Sequence, residues 1–211
     1  MHEVLIILSV HRERDQFRAE NLIDVLNAVR PDALFLEHSP AEYERFNGLE
    51  KKVSELYIAT NQVPVIPCGK PFPEKEMLES YQKYQRLSHA LETYSSEDYR
   101  AAFDNNVQRE SLEGFSYLHS NEYGQAQKWL HEEEERIVVS ADRPEIYQIF
   151  QWWSELQRNR ELFIRDSIEK IVLENGYERV VLFIGSEHRN SFLSVTKDSV
   201  YSEIKWSCYK C

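Results

Sequence analysis

Two histidines and a glutamate occupy the positions from which this chain could do chemistry. His11 follows the apolar run Val4 to Val10, Glu37 closes the run Ala33 to Glu37, and His188 ends Gly185-Ser186-Glu187-His188 after the run Arg179 to Ile184. Two imidazoles and a carboxylate arriving from separate strand ends are the minimum set that binds a divalent transition metal and leaves positions open for water and substrate. Manganese, cobalt, iron or zinc would suit it. Water on such a metal becomes a usable nucleophile near neutral pH, with Glu37 or Glu187 as ligand or general base. A lone histidine near a strand end is more often a satisfied polar residue than a ligand, so the weight lies in several of them falling at strand ends together.

Other residues of these types read differently. His38 follows Glu37 directly, so in an extended strand it faces the other way and serves as a supporting or structural residue. Arg12 and Glu13 stand where they could line a mouth. His89, His119 and His131 lie in the middle of the chain and read as solvated. Cys68 ends an apolar run, where a buried free thiol is common, and Cys208-Tyr209-Lys210-Cys211 lacks the second pair that a zinc knuckle needs.

The elements that must position these side chains are legible from periodicity. Val4 to Val10 is nearly continuous in β-branched and leucine residues, as expected of a strand buried on both faces of a parallel sheet. Phe17, Leu22, Val25, Leu26 and Val29 recur at helical spacing in a helix from Arg14 that Pro31 stops, and Ala33 to Glu37 is strand again. A helix over Tyr43 to Thr60 leads to a weak strand at Val63 to Cys68, interrupted by Pro64 and Pro67. From residue 73 to 157 the pattern is helical, with no convincing β run. Arg158 to Leu173 extends it to the Asn175-Gly176 stop, and strand returns at Arg179. Ser199 to Trp206 reads as a final edge strand. The fold class expected is α/β: a mainly parallel sheet flanked by helices in one domain spanning residues 1–211, with residues 73–157 as a helical cap whose Trp129, Leu130, Ile146, Phe150, Trp153 and Leu156 cover one side of the sheet. Open sheets of this kind place ligands beyond the carboxyl ends of their strands, which is where His11, Glu37 and His188 fall.

Bulk properties agree. A chain of 211 residues buries roughly 70% of its unfolded surface, enough for a core without staples. A net charge of −11 with no basic patch disfavours nucleic acid and anionic membranes, and the run Glu132 to Glu135 reads as a solvated helix face. The start Met1-His2-Glu3 has no basic leader and no 18-residue apolar span follows, so a cytoplasmic protein is expected. Three cysteines fit a reducing compartment.

At the same residues the sequence resembles the superfamily that unites erythromycin-esterase-like proteins, the ChaN haem-binding lipoprotein, TraB-type pheromone-shutdown proteins and the Tiki peptidases. Its signature is two Gly-x-x-His motifs, a Glu after the second strand and an Arg on the helix before the late strand. The matching residues are His11 in Leu-Ser-Val-His, Glu37 in Leu-Phe-Leu-Glu-His, Arg158 in Arg-Asn-Arg-Glu-Leu and His188 in Gly-Ser-Glu-His. Leu8 replaces the first glycine. The resemblance implies a metal-dependent hydrolase of ester, amide or peptide bonds, acting on a small-molecule or peptide substrate. It implies as the alternative a protein that captures haem or another small ligand between sheet and cap, or a scaffold. Arg158 would serve as a fixed cation for an oxyanion or a substrate carboxylate, or else pair with Glu155 or Glu161; Arg160 is its alternate if the helix phase differs by two, and Asn159 could supply a hydrogen bond.

Overall fold

The computed structural model describes residues 1–13, 16–71 and 74–210. Arg14, Pro73 and Cys211, where three of the boundaries read from sequence fall, lie outside the described residues. The chain forms an α/β fold, a five-stranded, all-parallel sheet flanked by helices.

The strands are β1 (His2–Ser9), β2 (Ala33–Leu36), β3 (Val65–Pro67), β4 (Arg179–Gly185) and β5 (Ile204–Cys208), in spatial order β3-β2-β4-β1-β5. Val180 to Ile184 of β4 are each at most 1% exposed, as a central strand covered on both faces requires. The late strand therefore enters between the first two. Ser9 comes into register with Gly185, and Leu36 with Phe183, so the carboxyl ends of β1, β4 and β2 lie side by side.

Helix α1 (Ala19–Val29) turns Leu22, Val25, Leu26 and Val29 inward and ends at Arg30, whose left-handed backbone closes the turn before Pro31. The single helix expected over residues 43 to 60 is two helices, α2 (Pro40–Arg45) and α3 (Leu49–Ile58). Ser39 starts α2 with a reciprocal capping box to Glu42. Phe46 then leaves helical geometry, and its ring lies 3.9 Å from that of His38. A Cβ on Gly48 would collide with the Phe46 ring, so any larger residue at this break would have to displace that ring. The third strand is shorter than its apolar run, because Pro64 precedes it and Pro67 ends it. The last strand begins further along than Ser199, since the chain turns at Ser202 and Glu203 before pairing with β1.

Between β3 and β4 the described chain is helical: α4 (Glu74–Tyr94), α5 (Glu97–Glu113), α6 (Phe115–Leu118), α7 (Asn121–Ser140) and α8 (Pro144–Asn175). A short 3-10 turn, Ser186–His188, and α9 (Arg189–Thr196) follow β4. The helices of the insertion do not simply spread their aromatic residues over the sheet. Leu130, Ile149 and Phe150 bury into two small clusters among α4, α5, α7 and α8, while Tyr117, Leu118 and Tyr123 join the main core. Helix α8 belongs to both layers: Ile149 and Phe150 lie in a small cluster, whereas Ile164, Ile168 and Val172 pack on the sheet.

One histidine fastens the insertion to the sheet. β5 pairs with β1 only as far as Ile6, so the Leu8 amide lies beyond its end and instead donates to His119 Nε2 at 3.0 Å. His119 Nδ1–H donates to the Phe115 carbonyl at 2.9 Å. His119 is thus buried rather than solvated, because it replaces a missing sheet partner; His89 and His131 are exposed as expected. Burial, followed by the charge of Arg189, lowers its pKa to about 4 from 6.5. The neutral ring therefore adds stability that is complete above pH 6.5 and is lost as pH falls towards 4, up to about 3 kcal/mol. Urea midpoints measured between pH 7 and 4.5 should fall more steeply for the wild type than for His119→Gln, whose amide oxygen accepts the same hydrogen bond without titrating.

Candidate active site

Glu37 leaves β2 beside the central strand β4 and is 5% exposed. Burying a carboxylate there requires replacement of its lost water. The Gly185 amide donates to Oε1 at 3.0 Å, His11 Nε2 lies 3.2 Å from the same oxygen, and His188 Nε2 lies 3.7 Å from Oε2. The three residues expected at strand ends are therefore brought together, because β4 stands between β1 and β2. A Cβ on Gly185 would sit 3.0 Å from His11 Nε2 and 3.3 Å from Glu37 Oε1, so the second glycine of the motif admits both groups.

The position of Leu8 is ordinary strand, fully buried in the core. Left-handed backbone occurs instead at His11, with φ 56°, following the strand by two residues. That conformation is uncommon for a residue with a side chain, and it is held here by two contacts. The His11 carbonyl accepts the Leu49 amide at 2.9 Å, and its ring Nδ1 meets Glu50 Oε1 at 2.7 Å.

Each imidazole has the same support. Glu50, 1% exposed at the start of α3, accepts from His11 Nδ1 and from the Ser9 hydroxyl on one oxygen. Glu161, 1% exposed on α8, accepts from His188 Nδ1 at 2.7 Å and from the Ser191 hydroxyl at 2.6 Å, again on one oxygen. A carboxylate on Nδ1 fixes the tautomer, so in a neutral ring the Nε2 lone pair points at Glu37. In all three glutamates Oε2 is buried without a hydrogen-bond partner. The carboxylates outnumber the two imidazoles even if both are protonated.

These charges set the titration of the rings. Burial opposes protonation of His11, but the hydrogen bond to Glu50 and the charges of Glu37, Glu50 and Glu187 outweigh it and raise its pKa to about 9. His188 is raised in the same way, with burial overcome by Glu161 and Glu37 and with Arg160 opposing. Burial opposes ionisation of Glu50, but His11 and Ser9 outweigh it and hold the carboxyl below its ordinary value. His38 is lowered, chiefly by burial; its ring centroid is 5.7 Å from that of His11 and its Nδ1 has no partner. The His11 side chain is 43% exposed, against 17% for His188 and 6% for Glu37, so solvent reaches the cluster from the His11 side.

Glu187 is exposed beside the cluster, and its charge reaches His11. Arg158 is not brought to the cluster: it is exposed and lies 4.0 Å from Asp198. The neighbouring Arg160 is the one whose charge acts on His188, and it also bonds Gln157 at 3.1 Å. Arg12 is exposed, and Glu13 pairs with Lys52. Glu50 and Glu161 were not foreseen as site residues, though a signal existed. Glu50 shares a helical stripe with Val53 and Tyr57, and Glu161 with Ile164, Ile168 and Val172. An acid on an apolar stripe must be matched by a buried donor.

With both rings neutral, the donors would have the chemistry of a metal site: two Nε2 lone pairs, a carboxylate with an unpartnered oxygen, and carboxylates behind each ring. As they stand, no three His, Cys, Asp or Glu among the described residues are spaced to hold an ion, since the imidazoles address the carboxylate directly. A 390 Å³ cavity lies at the opposite end of the sheet, lined by Glu3, Arg30, Asp32 and Arg179; Arg179 pairs with Glu3, and Asp32 accepts the Glu178 and Arg179 amides. No protein-family model and no curated protein matches the chain. Cys68 is buried and donates to the Leu36 carbonyl, and burial raises its thiol pKa, so it is inert as a nucleophile.

Because Glu50 is the largest influence favouring the His11 cation, Glu50→Gln should bring the His11 pKa down from about 9 towards 6.5. NMR titration of the imidazole protons reads this directly, and an unchanged value would remove Glu50 from the account. The sign also bears on stability: the contribution of His11 is complete below pH 6.5 and is lost as pH rises through 9 in the wild type, and should be diminished in the variant.

Proposed function

We propose that the protein is a metal-dependent hydrolase of ester, amide or peptide bonds, with His11, His188 and Glu37 as the residues that would hold a divalent ion. The observation that carries this reading is the pair of matched supports, in which a buried glutamate and a serine fix each histidine so that both Nε2 atoms face one carboxylate. Such buried carboxylates behind imidazoles are the usual means of orienting metal-binding histidines. The excess of buried negative charge favours a bound cation, and the resemblance to the TraB, Tiki and erythromycin-esterase group points the same way. When bound, the ion would lower the pKa of water and polarise a carbonyl.

The chain's own groups divide the remaining work. Glu50 and Glu161 hold the rings in one tautomer, and Ser9 and Ser191 keep those carboxylates in place. Glu187, exposed and with its charge reaching His11, takes a proton from the attacking water and returns it to the leaving group in this reading. Arg160, on the His188 side, supplies positive charge for a developing oxyanion, the role for which the resemblance offered Arg158, with Arg160 as its alternate. Gly185 leaves room for the two side chains it borders.

Protein purified without chelator, then reconstituted with manganese, cobalt, iron or zinc, should carry close to one equivalent by elemental analysis. His11→Ala and His188→Ala should both lose it, and Glu161→Gln should bind about 10 to 100 times more weakly. Wild-type protein that takes up none of these ions would sink the reading.

A further inference from the structure

Helix α4 carries an apolar stripe at three- and four-residue spacing: Met77, Tyr81, Tyr84, Leu87 and Leu91, with Leu78 alongside. Its later half is covered, for Leu87 clusters with Val138, Ile149 and Phe150. Its earlier half is open to solvent: Met77 is 45% exposed, Leu78 58%, Tyr81 58% and Tyr84 42%. The Tyr84 ring lies 4.7 Å from that of Trp153 on α8. Since Leu87 meets Ile149 and Phe150 while Tyr84 meets Trp153, the two helices run antiparallel.

The antiparallel pairing sets where the open half leads. At 1.5 Å per residue, Tyr84 to Met77 is about 10 Å of helix, and Trp153 to Glu161 is about 12 Å. The exposed turns of α4 therefore descend beside α8 to the level at which Glu161 holds His188. The charge of Glu187, the residue before His188, reaches both His11 and Tyr84, so one exposed carboxylate lies within electrostatic range of the imidazoles and of the stripe.

The charges around the stripe narrow what can occupy it. Glu187 and Glu134 are the groups whose charge reaches Tyr84, and the chain carries a net charge of −11. An anionic lipid surface or an anionic ligand is repelled from such a wall. An uncharged apolar group, joined to the bond that the cluster addresses, meets both the stripe and the site in one pose. We infer that the exposed turns of α4 bind the acyl group of the substrate, and that the site takes uncharged esters or amides with a bulky aliphatic or aromatic acyl chain. This rests on the hydrolase reading for the reaction, but not for the binding.

Two measurements separate the two. Turnover is followed with 4-nitrophenyl esters from acetate to octanoate and with the matching 4-nitroanilides, on metal-reconstituted protein. Binding is followed by displacement of Nile red, a neutral apolar dye, with amides from acetamide to octanamide. Burial of each added methylene should raise kcat/KM and amide affinity about fourfold until the stripe is filled. Leu78→Ser with Tyr81→Ser, both at exposed positions, should flatten both series. Chain-length-dependent displacement that the variants abolish, without turnover of any ester or of the matching 4-nitroanilides, sustains the assignment of α4 and sinks the hydrolase. Turnover or displacement indifferent to chain length, in wild type as in the variants, overturns the inference. So does a wild-type dimer in size-exclusion chromatography that the variants split, because the stripe then serves self-association.

Discussion

The carboxylate of Glu37 lies where three parallel strands end, and most of the site follows from the need to solvate it. An ion withdrawn from water in this way costs several kcal/mol unless donors replace the water. The Gly185 amide of β4 donates to one of its oxygens, and the two imidazoles, whose raised pKa values favour the cation, lie 3.2 and 3.7 Å away as countercharges. That arrangement requires β4 between β1 and β2, a residue without a side chain at 185, and a left-handed turn that brings the His11 ring back over the strand ends. The imidazoles in turn need orientation, and Glu50 and Glu161 provide it at the cost of two further buried carboxylates.

The two supports are alike in chemistry and unlike in setting. Glu50 stands at the start of a ten-residue helix that is joined to the His11 turn by the Leu49 amide, so turn and helix hold each other. Glu161 stands in the middle of a 32-residue helix that packs on the sheet at one end and on the insertion at the other. The His188 side is thus fixed by a continuous rigid element, whereas the more exposed His11 side depends on a loop and a short helix. The opening to solvent falls on the second of these, on the side of the charge of Glu187.

The strands and the three converging residues were legible in the sequence because a fully buried parallel strand is a short apolar run and a site lies at its carboxyl end. The residues missed show where that logic stops. Glu50 and Glu161 sit on apolar stripes, and periodicity alone classes an acid as solvent-facing unless the stripe itself is followed through it. His119 reads as solvated because its partner is an amide 111 residues away, left unpaired by the length of β5. Arg158 and Arg160 differ by two residues on a helix, a rotation of roughly 200° at 3.6 residues per turn, so an error in phase exchanges an arginine whose charge reaches His188 for a surface ion pair. The break after α2 depends on Phe46 stacking on His38, a tertiary contact with no local signature.

The strand order has a consequence for how the chain acquires its shape. β1 is synthesised well before its neighbours β4 and β5, whose paired residues lie some 175 to 200 positions further along. Contacts of such sequence separation are slow to form, because the loop between them must close before pairing returns any free energy. Until then Val4 to Leu8 is an apolar segment with both edges unpaired, the type of segment that associates with other chains. The helices between, which rely on nearby contacts, are able to assemble meanwhile. During synthesis the protein is therefore a growing set of helices that carries its first strand unpaired until β4 and β5 follow.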